Sequence, residues 1–151
     1  CFFLTVPVRK VAKLSLTGVP GIEQRSVLSA FKILVAEDDE ANFYFLNSLI
    51  ISEISAKVLH ASNGREAIEL FKANPDIKLI LMDIKMPEID GFEATRQIRL
   101  IDSNVSIIAI TAYAMSGDEN RILAAGFDGY LSKPIIRKGL MEKIGEFITI
   151  R

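Results

Sequence analysis

The sequence has little with which to cross-link itself, span a membrane or hold nucleic acid. Its 151 residues contain one cysteine, Cys1, which excludes an intrachain disulfide and suits a reducing compartment. No apolar run approaches the ~20 residues that a membrane-spanning helix needs. The start, CFFLTVPVRK, has no basic region ahead of its short apolar part, so it does not read as a signal peptide. Lys and Arg number 18 against 19 Asp and Glu, a formal net charge of −1. That balance removes any global attraction for nucleic acid or an anionic membrane surface. What is present is an ordinary globular mixture, 50% hydrophobic and 25% charged, sufficient for one domain and a short appendage. The first residue is Cys rather than Met, and the expectation is a piece of a longer protein.

From residue 32 the chain alternates between two textures. Short β-rich apolar runs occur at Ile33–Ala36, Lys57–Ala61, Leu79–Met82, Ser106–Ile110 and Gly129–Leu131. Longer segments with helical spacing separate them. The first places Leu46, Leu49, Ile50 and Ile54 on one face; the third groups Phe92, Thr95, Ile98 and Ile101; the last groups Ile136, Leu140, Ile144 and Phe147. Asn63-Gly64 and Asn74-Pro75 bracket the second helix, and Gly126 follows the fourth. Five strands alternating with five helices predict an α/β fold, a (βα)5 doubly wound parallel sheet. Phe43, Tyr44 and Phe45 cannot all face the core of one helix, so at least one is exposed and offers a docking patch.

The run LILMDIKMPEIDG at 79–91 then poses a chemical problem, because an apolar strand ends in the carboxylate of Asp83. Such a group is costly beside a core unless something pairs with it or uses it. In a parallel sheet, ligands collect outside the carboxyl ends of the strands, where the strand order reverses. The other strands should therefore end in chemistry too, and they do. The first ends in Glu37-Asp38-Asp39, the fourth in Thr111, and the fifth is followed by Lys133-Pro134. Asp39 reads as the cap of the first helix. His60 lies at the end of strand two without metal-ligand neighbours and reads as structural.

Three crowded carboxylates repel one another, and a hard divalent cation such as Mg²⁺ is the economical counter-charge. Lys133 supplies a second positive charge and Thr111 a hydroxyl donor. Together these groups suit phosphoryl transfer, with one Asp83 oxygen as the nucleophile that forms an acyl phosphate.

The motifs ILVAEDD (33–39), LILMDIKMPEIDG (79–91), IIAITAYA (107–114) and GYLSKPI (129–135) resemble those of two-component response-regulator receiver domains. The resemblance covers about residues 32–150 and implies the flavodoxin-like strand order 2-1-3-4-5. It implies Asp83 as phosphoacceptor, Asp38 as the direct metal-binding acid and Glu37 as the second member of the acid pair. It further implies Lys85 as a metal ligand through its backbone carbonyl, Thr111 as the switch hydroxyl, Lys133 as the site lysine and Tyr130 as the aromatic switch. The Lys133–Pro134 bond is expected cis, and Tyr113 is expected to shield the acyl phosphate. The implied donor is a phosphohistidine on a histidine kinase or histidine phosphotransfer protein, and the implied readout face is helix four, strand five and helix five.

Residues 1–8 resemble the last strand of a histidine-kinase ATP-binding domain, and 9–31 read as a linker. The expected division is thus 1–31 as N-terminal segment and 32–151 as receiver, within a hybrid histidine kinase and on the cytoplasmic side. A homodimer is left open. A haloacid-dehalogenase-type phosphohydrolase needs a second acid two residues after its nucleophile, where this chain has Lys85. A flavodoxin-like cofactor binder or a degenerate docking receiver is disfavoured by the complete set of Glu37, Asp38, Asp83, Thr111 and Lys133. DNA binding is not expected, because no basic reading element follows the fifth helix.

Overall fold

A computed structural model describes residues 31–54, 56–112 and 115–150. The expectations for residues 1–30 and for Tyr113 lie outside the described residues. The elements run β1 (Lys32–Ala36), α1 (Glu40–Glu53), β2 (Lys57–Ala61), α2 (Gly64–Ala73), β3 (Ile77–Asp83), α3 (Gly91–Ile101), β4 (Ser106–Thr111), α4 (Asp118–Ala124), β5 (Gly129–Ser132) and α5 (Arg137–Ile150). The strands form one sheet in the order β2-β1-β3-β4-β5, every pair parallel. Both the fold class and the strand order expected from the sequence are borne out.

The strands are apolar almost throughout because both faces of the sheet are covered. Leu34, Ala36, Ile80, Met82, Ile107 and Ala109 point into a core closed by Ala67, Ile68 and Phe71 of α2, Ala94 and Ile98 of α3, and Ile122 of α4. Their neighbours Ile33, Val35, Leu79, Leu81, Ile108 and Ile110 point the other way, against Leu46 and Ile50 of α1 and Leu140 and Ile144 of α5. A two-residue period therefore sends successive side chains into separate cores.

Helix starts follow the chemistry of unsatisfied first-turn amides. Asp39 accepts from the Asn42 N–H at 2.9 Å, Asn63 from Glu66 and Asp90 from Glu93. Two residues assigned to core faces lie in solvent: Ile101 is 46% and Ile136 64% exposed. Each stands at a helix edge, Ile101 as the last residue of α3 and Ile136 one residue ahead of α5. A helical period identifies side chains that share a face, but not where the sheet beneath that face stops.

The carboxyl ends of the strands meet a tightly built loop between β3 and α3. The Gly91 N–H donates to the Ile84 carbonyl at 2.9 Å, and a Cβ on Gly91 would sit 2.3 Å from the Asp83 carbonyl oxygen. Only glycine lets α3 start this close to the strand that carries Asp83. The Lys133–Pro134 peptide that follows β5 is cis, as expected.

Candidate functional site

The order of the sheet reverses between β1 and β3, and a cleft opens there at the carboxyl rim. Its volume is ≈ 270 Å³, and its lining includes Glu37, Asp38, Asp83, Lys85, Thr111 and Lys133. The first strand delivers Glu37 and Asp38, the third ends in Asp83, the fourth in Thr111, and Lys133 follows the fifth. The hydrogen-bonded register keeps these ends level, with Asp83 opposite Ile110 and Thr111 opposite Ser132. Residues 96 positions apart in sequence thus share one cavity.

Glu37 is 0%, Asp83 4% and Thr111 7% exposed, whereas Asp38 stands in solvent at the edge. The Lys133 ammonium bridges the two buried acids, 3.1 Å from Asp83 Oδ2 and 3.2 Å from Glu37 Oε2. The contact with Asp83 is a hydrogen bond; that with Glu37 is an ion pair only, so Glu37 Oε2 is buried without a hydrogen bond. The second Asp83 oxygen, Oδ1, accepts from the Lys85 N–H at 3.1 Å, and Glu37 Oε1 accepts from the Asp39 N–H at 3.1 Å. Both buried acids are therefore held in place through one oxygen by backbone.

The electrostatics follow from the burial. Desolvation pushes the Glu37 carboxyl from its ordinary 4.5 up to about 7, against the Asp39 N–H, which favours the charged form. The charge of Asp83 adds to the rise and Lys133 opposes it. For Lys133, burial acts downward, but the charges of Asp83 and then Glu37 outweigh it and hold the ammonium above its ordinary value. One cation is shared by two buried carboxylates, with a third acid beside them. Glu37, Asp38 and Asp83 each turn an oxygen to within 4.8 Å of the others. An all-oxygen donor set with an unsatisfied buried oxygen among its members fits a hard divalent cation.

A family model described as the response regulator receiver domain matches residues 33–145, most of the chain. The chain belongs to this receiver-domain family. It is 37% identical over 119 residues to the polar-differentiation response regulator DivK of Brucella anthropi, a match covering 77% of this chain and 94% of that one. Its fold is similar to the receiver domain of a sensor histidine kinase from Pseudomonas aeruginosa PAO1, solved with a magnesium ion coordinated in its active site cleft. The TM-score there is 0.71 at 34% identity, over 78% of this chain and 97% of that one. It is also similar to a Saccharomyces cerevisiae complex of the histidine phosphotransfer signalling protein Ypd1 and the receiver domain of its downstream response regulator Ssk1. That likeness has a TM-score of 0.72 at 30% identity, over 78% and 88% of the two chains. As a receiver domain of two-component signalling, the chain has a phosphoacceptor role.

Of the residues singled out in the sequence, Glu37, Asp38, Asp83, Lys85, Thr111 and Lys133 come together in this receiver's cleft. Tyr130 does not line it. It is half-buried on β5, level with Ala109, and packs against the core beneath α3 and α4. His60 is structural as expected: Nε2 lies 2.9 Å from the Glu37 carbonyl oxygen, and the ring stacks on Phe43 at 3.7 Å. Tyr44 and Phe45 are exposed on α1. Sequence reasoning missed Asn42, Asp118 and Arg121 as cleft residues, and it placed Phe92 in the core although the ring also lines the cleft. Phe92 directly follows the motif LILMDIKMPEIDG that carries Asp83, and that adjacency was the available signal; Arg121 carries no spacing that distinguishes it from a solvated helix face.

Proposed function

We propose that this receiver takes a phosphoryl group from a partner phosphohistidine onto Asp83, with Mg²⁺ held by Glu37, Asp38, Asp83 and the Lys85 backbone carbonyl. The observation that carries the reading is the shared cleft in which Lys133 bridges the carboxylates of Asp83 and Glu37. Bound there, the cation would offset the repulsion among the acids and the charge on the phosphoryl oxygens.

The chain's own residues supply the remainder. The Lys85 N–H fixes Asp83 Oδ1, which orients the carboxylate in the cleft. An Asp83 oxygen attacks phosphorus, the bond from phosphorus to the imidazole nitrogen breaks, and the electron pair leaves with the donor histidine. Lys133 moves from its pair with Asp83 to a phosphoryl oxygen, and the Thr111 hydroxyl donates to another. Thr111 sits at the end of β4, beside β5 and its Tyr130, so its shift reaches the face made by α4, β5 and α5. Tyr130 is the switch aromatic of that response, acting through core packing.

The likeness to a sensor kinase's receiver supports a place in a hybrid histidine kinase, and the Ypd1 complex supports a histidine phosphotransfer partner. Residues 32–151 would then be the receiver and 1–31 its N-terminal lead, on the cytoplasmic side. Among the described residues, no helix is long and apolar enough to cross a membrane. Incubation with Mg²⁺ and acetyl phosphate, read by intact mass, tests the site. The wild type gains one phosphoryl mass, lost on chelation of the metal and absent in Asp83→Ala. An adduct of equal yield in Asp83→Ala refutes the assignment.

A further inference from the structure

Arg121, on α4, lies with its guanidinium carbon 4.7 Å from the centroid of the Phe92 ring. Phe92 in turn meets the buried Phe127 edge-on, with centroids 5.8 Å apart and planes at 84°. The cation thus rests on an aromatic support anchored in the core. Arg121 lines both the carboxylate cleft and the shallower groove beside it, and these share Asp38, Ile84, Lys85 and Phe92. Acids reach the same region from three places: Asp118 on its own helix, Asp38 after β1 and Asp90 before α3. Even so, among the described residues no carboxylate lies within ion-pair distance of the guanidinium. No described carboxylate pairs with its charge, and its planar fork is one that suits an oxyanion.

The geometry of displacement gives that cation a task. Asp83 forms the buried floor of the cleft, and an in-line attack sends the leaving group away from the nucleophile, toward the open side. Arg121 is exposed and lines that cleft. For an acyl-phosphate donor, the new bond from Asp83 to phosphorus forms while the bond from phosphorus to the acyl oxygen breaks. The electron pair departs on a carboxylate, so negative charge builds toward the open side of the cleft that Arg121 helps to line. For a phosphoramidate donor, the nitrogen is already protonated and leaves as neutral ammonia. No such charge builds.

We propose that Arg121 is a leaving-group residue, which stabilises the departing carboxylate of a small acyl-phosphate donor and so sets the donor class this receiver accepts. The inference rests on Asp83 being the phosphoacceptor. The test uses the full chain with Mg²⁺ and follows adduct formation by intact mass, with acetyl phosphate and phosphoramidate in parallel. Arg121→Gln is expected to slow acetyl phosphate about tenfold and phosphoramidate by less than about twofold. Arg121→Lys, which keeps the charge, is expected to recover most of the loss. Equal slowing with both donors, or none with either, overturns the role of Arg121. A wild type that takes phosphate from neither donor, or an adduct that persists in Asp83→Asn, overturns the phosphoacceptor reading and this inference with it.

Discussion

Lys133 decides whether the carboxylate cluster can exist in the folded chain. Its ammonium is the group within ion-pair distance of both Asp83 and Glu37, and Glu37 has no solvent exposure with which to screen itself. Lys133→Ala removes that compensation and also the donor that would follow the phosphoryl group. Loss of one such preorganised donor typically costs about 10²-fold or more in rate. We expect acyl-phosphate formation from acetyl phosphate to slow by about that factor, measured by intact mass over time; a rate within about twofold of wild type would remove Lys133 from the site. At this scale, legibility tracked cost. A carboxylate that terminates an apolar strand is expensive enough to demand explanation, so Asp83 and Glu37 announced themselves. An arginine on a short exposed helix costs nothing, so Arg121 stayed hidden until the Phe92 contact placed it. Ile101 and Ile136 misled because their exposure depends on where neighbouring elements end.

At the level of elements, the helix following β2 shows how local chemistry sets a boundary. Asn63 accepts from the Glu66 N–H at 2.9 Å, and Glu66 Oε2 reaches back to the N–H and hydroxyl of Ser62, each at 2.8 Å. The reciprocal bonds satisfy amides that α2 would otherwise leave open. The Ser62 N–H, and then its hydroxyl, hold the Glu66 carboxyl below its ordinary 4.5. A carboxyl lowered by folding adds stability that is fully present above its unfolded pKa and is lost as pH falls through the folded value. Glu66→Gln should therefore lower the urea midpoint near pH 6, and the gap from wild type should close as the pH falls below the ordinary 4.5 of the carboxyl. A gap independent of pH would show that the carboxylate charge plays no part. The Asn63-Gly64 boundary was readable because caps use few residue types. The start of β3 was not: the strand begins at Ile77, two residues ahead of the apolar run expected from Leu79, because Lys78 interrupts that run. Polar side chains mask strand character when their backbone continues to pair.

For the whole molecule, the topology is what converts scattered motifs into one cavity. A parallel sheet covered on both faces leaves its carboxyl rim as the natural place for chemistry, and the order β2-β1-β3-β4-β5 sets the reversal beside Asp83. The opposite rim is sealed instead. Arg99 of α3 donates to the carbonyls of Gly126 and Val105 at 2.9 and 2.6 Å and to Asp128 Oδ2 at 2.8 Å, and that same oxygen accepts from the Ile107 N–H. This tie binds α3, β4 and the turn into β5 far from the cleft. Its residues are ordinary charges in the sequence, and only the fold brings Arg99 and Asp128 together. The central claim is that this architecture makes the Asp83 carboxylate, rather than any neighbouring acid, the group that captures phosphorus. Borohydride reduces an acyl phosphate to an alcohol, which marks the modified residue permanently for peptide mass mapping. After treatment with Mg²⁺ and acetyl phosphate, the account predicts homoserine at position 83 and an unchanged carboxylate at Glu37, Asp38 and Asp39. Reduction at one of those three positions with Asp83 intact would contradict it.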